Sequence, residues 1–204
     1  VRTNGDLNEL LNELVFTPAS MPDTFVASSN EQILEADNTL SGIGYLPGPN
    51  CEAGIVDFSK VSPTQLGSAG NYVTSVTDIK NFYEHLFDGT FGGEAGLATL
   101  TETKSTKNPK RNAEGEVETE AEPTSTERGF GVFKRGPLWG FDGSMPGSAT
   151  TAWHNPETGF TVVVAINNSS GGSTFATKMS QEIAAIVGVQ DLTWTAEQKA
   201  NQIA

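Results

Sequence analysis

Gly140-Phe141-Asp142-Gly143-Ser144-Met145-Pro146-Gly147 runs without a break into Ser148-Ala149-Thr150-Thr151-Ala152-Trp153. A turn sequence follows, His154-Asn155-Pro156-Glu157-Thr158-Gly159, and then the apolar run Phe160-Thr161-Val162-Val163-Val164-Ala165-Ile166. Glycine and proline supply the backbone angles that tight turns need, while the alternating and β-branched runs between them suit a pleated, half-buried surface. The stretch therefore predicts strands at about 137–142, 148–154 and 160–167, ending in the polar Asn167-Asn168-Ser169-Ser170. Just upstream, Gly129-Phe130-Gly131-Val132-Phe133 predicts another strand at about 129–134.

Helical spacing surrounds these strands. Leu7, Leu10, Leu11 and Leu14 fall on one helical face behind Asn4-Gly5-Asp6, which offers capping chemistry, and Thr17-Pro18 should stop that helix. Ala19 to Phe25 reads as a compact turn with a buried-type Met21. Residues 27–66 are poor in periodicity and rich in turn formers, so a long irregular connection is expected there. Gly67-Ser68-Ala69-Gly70 leads into Ser75 and Asp78, a near capping box, after which Ile79, Phe82, Tyr83, Leu86 and Phe87 line one face up to Asp88-Gly89. Residues 101–128 carry almost no large apolar side chain and read as an exposed insertion. The last helix is expected with Ser173 as its cap and Phe175, Met179, Ile183, Ile186 and Val187 as its buried stripe before Gly188. Beyond it lies a short tail with Leu192 or Trp194 as an anchor. Strands preceded and followed by helices make an α+β fold, an antiparallel sheet flanked by helices.

Composition narrows the partners. The 204 residues suffice for one domain with a real core, and a single cysteine, Cys51, excludes an internal disulfide. A formal net charge of −13 argues against nucleic acid. The only basic concentration, Lys104, Lys107, Lys110 and Arg111, is followed at once by Glu114, Glu116, Glu118, Glu120 and Glu122, which reads as a solvated loop. No apolar run approaches the length of a membrane span.

The search for catalytic chemistry is mostly negative. The chain has no Gly-x-Ser-x-Gly, no Ser-x-x-Lys (Ser125-x-x-Arg128 comes nearest) and no Lys-Thr-Gly; Ser28-Ser29-Asn30 is the kind of three-residue match that chance supplies. His85 lies near a helix end, where a positive ring favours the terminal carbonyls, and His154 reads as a solvated turn residue. Two histidines and one cysteine, none at ligand spacing, point to no metal. Trp139 and Phe141 flank a glycine on a strand entering a turn, so core packing and a cleft-facing ring are both open for them.

In this order the segments resemble the C-terminal part of the penicillin-binding-protein-like serine hydrolases: D-alanyl-D-alanine carboxypeptidases, class C-type β-lactamases and related esterases. Phe16-Thr17-Pro18-Ala19-Ser20-Met21-Pro22-Asp23-Thr24 is similar to the family's proline, methionine and Asp-Thr turn. Gly67-Ser68-Ala69-Gly70 through Thr74-Ser75-Val76-Thr77-Asp78 is similar to its glycine-rich entry into a helix, and Gly129-Phe130-Gly131-Val132 to a strand of its sheet. Gly140-Phe141-Asp142-Gly143 falls where the family carries His-x-Gly or Lys-Thr-Gly on the strand edging the active site. The resemblance spans about Leu7 to Gly188.

The resemblance implies the C-terminal portion of the serine β-lactamase/DD-peptidase-like fold, a single unit over 1–204. Its parts would be a helical and loop portion over 1–100, the insertion over 101–128, and strands with a final helix over 129–188. It implies an acyl-enzyme mechanism on D-Ala-D-Ala peptide, β-lactam or ester substrates, no cofactor, and a secreted or cell-envelope location. Phe141, Asp142, Gly143 and Ser144 would bind substrate, the strand backbone also feeding the oxyanion hole. Ser-x-x-Lys and Tyr-x-Asn would lie in a missing N-terminal part of the same protein, leaving this chain inactive alone, with no catalytic residue of its own and prone to self-association through an exposed sheet edge. Phe141 departs from the family's His or Lys, and a phenyl ring can neither donate a hydrogen bond nor attract a carboxylate. That favours an esterase- or amidase-like specificity, or alternatively a non-catalytic binding or regulatory module on the same fold.

Overall fold

The computed structural model describes residues 6–35, 40–47, 53–59, 61–62, 67–107, 116 and 123–189. Cys51, Lys110, Arg111, Leu192 and Trp194 lie outside them.

Six antiparallel strands form a meander. β5 (Lys104–Lys107), β6 (Pro123–Arg128), β7 (Phe133–Arg135), β8 (Leu138–Met145), β9 (Ser148–Asn155) and β10 (Phe160–Ile166) lie side by side in chain order. Two outcomes differ from the sequence reading. Residues 129–132 form a turn, so the strand begins only at Phe133, and both ends of the segment 101–128 contribute strands to the sheet. β5 is the edge strand and β6 its neighbour, and both are polar, without apolar alternation in their sequences.

Side chains alternate across β9 and split the core in two. Ala149 and Trp153 join Leu138, Val162 and Val164 under α5 (Gly172–Ile186), while Ala152 joins Trp139, Tyr83, Phe87 and Val132 under α3 (Val76–Phe87). The strand register enforces this split, pairing Trp153 with Val162 and Ala152 with Val163.

α3 begins as its sequence suggests, with the Ser75 hydroxyl accepting from the Asp78 N–H at 3.1 Å. The Asp78 carboxylate does not return to Ser75. Instead it is buried, accepting from the Asp23 N–H at 2.8 Å and the Thr24 hydroxyl at 2.7 Å, and so ties the 21–24 turn to the helix. α1 (Leu7–Leu11) is capped by Asp6 and passes into a π-helical turn (Asn12–Phe16) that ends at Thr17. Phe16, Ala19 and Met21 make a third small core there. α4 (Gly93–Thr101) links α3 to the sheet.

The connection over 27–66, expected to be irregular, holds regular elements among its described residues. It contains α2 (Asn30–Glu35) and an antiparallel ribbon of β2 (Ile43–Pro47) and β3 (Ala53–Asp57), and the short strands that flank it in the chain, β1 (Phe25–Val26) and β4 (Tyr72–Val73), pair with each other. Glycines there suit turns in sequence, but Gly42 and Gly44 serve close packing. A Cβ on Gly42 would lie 2.9 Å from the Gly147 Cα, and one on Gly44 would strike Phe58 and Ser169.

The final helix also corrects the sequence reading. It starts after Gly171 with no side-chain cap, not at Ser173. Its buried face is the small one, Ala176, Thr177, Ser180 and Ala184, whereas Phe175, Met179, Ile183, Ile186 and Val187 are exposed. Both sets obey helical spacing one residue apart. The sheet takes the small set, which includes Thr177 donating to the Thr151 hydroxyl at 3.3 Å. Among the described residues no helix is long and apolar enough to cross a membrane.

Candidate active site

The four residues singled out by sequence sit consecutively on β8, where the strand changes character. β7 pairs only with its first part, Phe133 with Gly140, Lys134 with Trp139 and Arg135 with Leu138. From Phe141 to Met145 β8 is paired with β9 on one side, and on the β7 side it has no partner strand among the described residues. Backbone donors and acceptors along such an edge are available to an extended ligand.

Each side chain along this edge has a distinct environment. Phe141 is 47% exposed. Its ring stacks on Phe133, the first residue of β7, with centroids 4.6 Å apart and planes 14° apart. Arg128 lies over the Phe133 ring at 4.8 Å. Trp139, by contrast, is buried against Phe87 in the α3-side core. Gly143 and Ser144 are exposed.

Asp142 is held from behind. Arg135 approaches its carboxylate at 3.5 Å, an ion pair without hydrogen-bond alignment, and the same guanidinium lies 4.7 Å over the Trp153 ring. Burial pulls the Arg135 guanidinium below its ordinary value, and the Asp142 charge opposes that shift. The carboxylate is thus committed to the protein, and what Asp142 presents along the edge is backbone. Tyr83 of α3 lies buried beneath the strand; burial, then the Asp142 charge, push its phenol well up, against a hydrogen bond from the Phe141 backbone. The Trp153 indole N–H donates to the Thr151 hydroxyl at 2.6 Å, and Thr151 reaches the Phe141 carbonyl at 3.5 Å. These contacts fix the strand from below.

The far end is clamped as well. Gly147 turns at φ 93°, where only glycine is unstrained, and donates its N–H to the Ser169 hydroxyl at 3.0 Å. Ile43 bridges the 167–169 segment, donating to the Asn167 carbonyl and accepting from the Ser169 N–H, both at 3.0 Å. The β2–β3 ribbon therefore locks the turn that ends the candidate strand. Sequence reading missed this ribbon, and the Gly42-x-Gly44 spacing was its only local signal.

The two histidines behave differently. His85 sits in the last turn of α3 and contacts Asp88 at 2.9 Å, in keeping with a helix-end role. His154 is not a solvated turn residue. It belongs to β9, is 4% exposed, stacks on Phe87 at 5.3 Å and pairs through Nδ1 with the Thr161 hydroxyl at 2.8 Å. The strand runs to Asn155, one pleat further than its sequence suggests, and carries the ring under α3. Burial lowers the His154 pKa below its ordinary 6.5, with Glu84 opposing and Lys80 adding to the shift. A histidine buried neutral contributes stability fully above the unfolded-state pKa, and that contribution is lost as pH falls below it. The urea midpoint is therefore expected to drop between pH 7.5 and 5.5, and His154→Gln to flatten that dependence. An unchanged slope in the variant would place the pH sensitivity elsewhere.

A separate apolar pocket of about 340 Å³ opens between α3 and α4, lined by Leu86, Phe91, Leu97, Leu100 and Phe130 among others. No titratable group and no residue of β8 lines it.

This arrangement has known counterparts. The beta-lactamase family model matches residues 2–187, so the chain belongs to the beta-lactamase family of serine hydrolases. Among solved structures it is similar to a D-stereospecific amidohydrolase from Streptomyces sp., at TM-score 0.67 and 19% identity over 87% of this chain and 49% of that one. It is also similar to a penicillin binding protein from Bacillus halodurans, at TM-score 0.60 and 20% identity over 88% and 49%. A D-amino acid amidase from Ochrobactrum anthropi SV3, complexed with L-phenylalanine amide, matches at TM-score 0.64 and 19% identity over 97% and 52%. A search of curated proteins finds no match. The chain spans about half the length of these solved structures.

Proposed function

We propose that this chain forms the substrate-side part of a serine hydrolase active site that acts through an acyl-enzyme on neutral amide or ester substrates. The carrying observation is β8 between Phe141 and Met145, paired on one side and open on the other. A substrate chain lying along that edge would find backbone partners, and strand N–H groups would stabilise the charge developing on the attacked carbonyl oxygen. The nucleophilic serine, with a lysine and a tyrosine to handle its proton, would come from polypeptide outside these 204 residues, since no Ser-x-x-Lys occurs within them. Phe141 supports neutral substrates. Carboxylate-bearing D-Ala-D-Ala peptides and β-lactams would meet a phenyl ring where the family usually places a donor. Two of the similar structures are named as an amidohydrolase and an amidase, which fits this reading.

The same polypeptide would cover surface left open here. β10 ends the sheet with one edge unpaired among the described residues, and Phe175, Met179, Ile183 and Ile186 are exposed along α5. Without that cover, the chain alone is expected to self-associate.

One experiment reads both points. The sequence upstream of Val1 should encode Ser-x-x-Lys and then Tyr-x-Asn. Protein spanning both parts should react with a fluorophosphonate, hydrolyse neutral amino-acid amides or esters, and be less associated by light scattering than this chain. A folded, unreactive protein, or degraded upstream motifs, would favour the non-catalytic module that Phe141 also allows.

A further inference from the structure

We propose that Phe141 is a specificity-determining aromatic wall, and that the open edge of β8 selects substrates bearing a flat aromatic group over those bearing a methyl group. This rests on reading β8 as the substrate-side strand. The ring is half exposed yet held in place. It stacks on Phe133 at 4.6 Å and 14°, and Phe133 carries Arg128 at 4.8 Å over its own ring. A stack of this kind fixes the orientation of the outer ring, so that little side-chain freedom is lost when a ligand settles on it.

The neighbouring position adds room. Gly143 lies two residues along and so on the same strand face, and a Cβ built there meets nothing within 4 Å. A wall beside an open floor suits a planar group in offset contact. The charges described at this edge are engaged with the protein, the Asp142 carboxylate with Arg135 at 3.5 Å and the Arg128 guanidinium over the Phe133 ring at 4.8 Å. The preferred group is therefore recognised by its π-face and apolar area, without a hydrogen bond or counter-charge.

The test compares phenylalanine amide with alanine amide in the protein carrying the nucleophile. Phe141→Ala should lower the phenylalanine-over-alanine ratio of kcat/KM about tenfold, chiefly through KM. Phe141→Tyr should preserve the ratio, and Phe141→Leu, which keeps apolar volume without a flat face, should lose it. In this chain alone, amide resonances of Phe141 to Ser144 should shift with phenylalanine amide and far less with alanine amide. A ratio unchanged in Phe141→Ala and Phe141→Leu would overturn the proposal while leaving the hydrolase reading intact. Selective shifts without any hydrolysis by the longer protein would sink the hydrolase reading and leave the aromatic site standing.

Discussion

Gly140→Ala is expected to destabilise the chain by about 3 kcal/mol or more, seen as a large fall in the urea midpoint. A Cβ at this position would lie 1.9 Å from the Ala152 carbonyl oxygen and 2.8 Å from a ring carbon of Trp153. The first obstacle is backbone, so no rotamer change relieves it. β8 would have to separate from β9 at the residue just before the candidate edge, between the two cores that the sheet divides. Gly143→Ala is the control on the same strand, because nothing lies within 4 Å of its Cβ and its φ is not positive. That variant should stay within about 0.5 kcal/mol of the parent. Equal effects at the two positions would mean that the strands are not in the register described.

Asp78→Ala should cost about 3 kcal/mol, since a buried carboxylate with two hydrogen bonds is removed and both donors are left behind. Asp78 is 1% exposed. It holds the Asp23 N–H and the Thr24 hydroxyl, and Thr24 in turn lies 2.7 Å from the Thr74 hydroxyl. The loss would therefore fall on the joint between the 21–24 turn and α3, with faster hydrogen exchange at the Asp23 amide. Asp78→Asn keeps one acceptor and should lose less. A change of under 0.5 kcal/mol in Asp78→Ala, on the scale of ordinary surface substitutions, would contradict this account of the joint.

The parts of the fold legible in sequence were those set by neighbours along the chain. Ser75 caps the helix three residues before its own partner, and hairpin turns at Pro146-Gly147 and 156–159 bring β8, β9 and β10 together in order. The four candidate site residues stand together in the chain, but the strand that carries them runs to Met145, three residues past the end read from the sequence. What stayed hidden depended on contacts between distant segments. The β2–β3 ribbon is fixed by Gly42 meeting Gly147, and neither glycine announces a partner a hundred residues away. α5 has two faces at helical spacing, one of small and partly polar residues and one of large apolar residues, and only the sheet beneath it decides which one is covered. His154 looked solvated because its burial comes from Phe87 on α3. At the site itself, the Phe133 stack and the Arg135 contact with Asp142 depend on where β7 begins and ends, which no local pattern encodes.

We propose that these residues shape a serine hydrolase site without supplying its nucleophile. Intact-mass spectrometry of the purified chain after separate incubation with a reactive penicillin and a fluorophosphonate tests it most directly. The unmodified mass is expected with both reagents. A stoichiometric adduct on any serine of this chain would show that a nucleophile is activated within it, and would contradict the account.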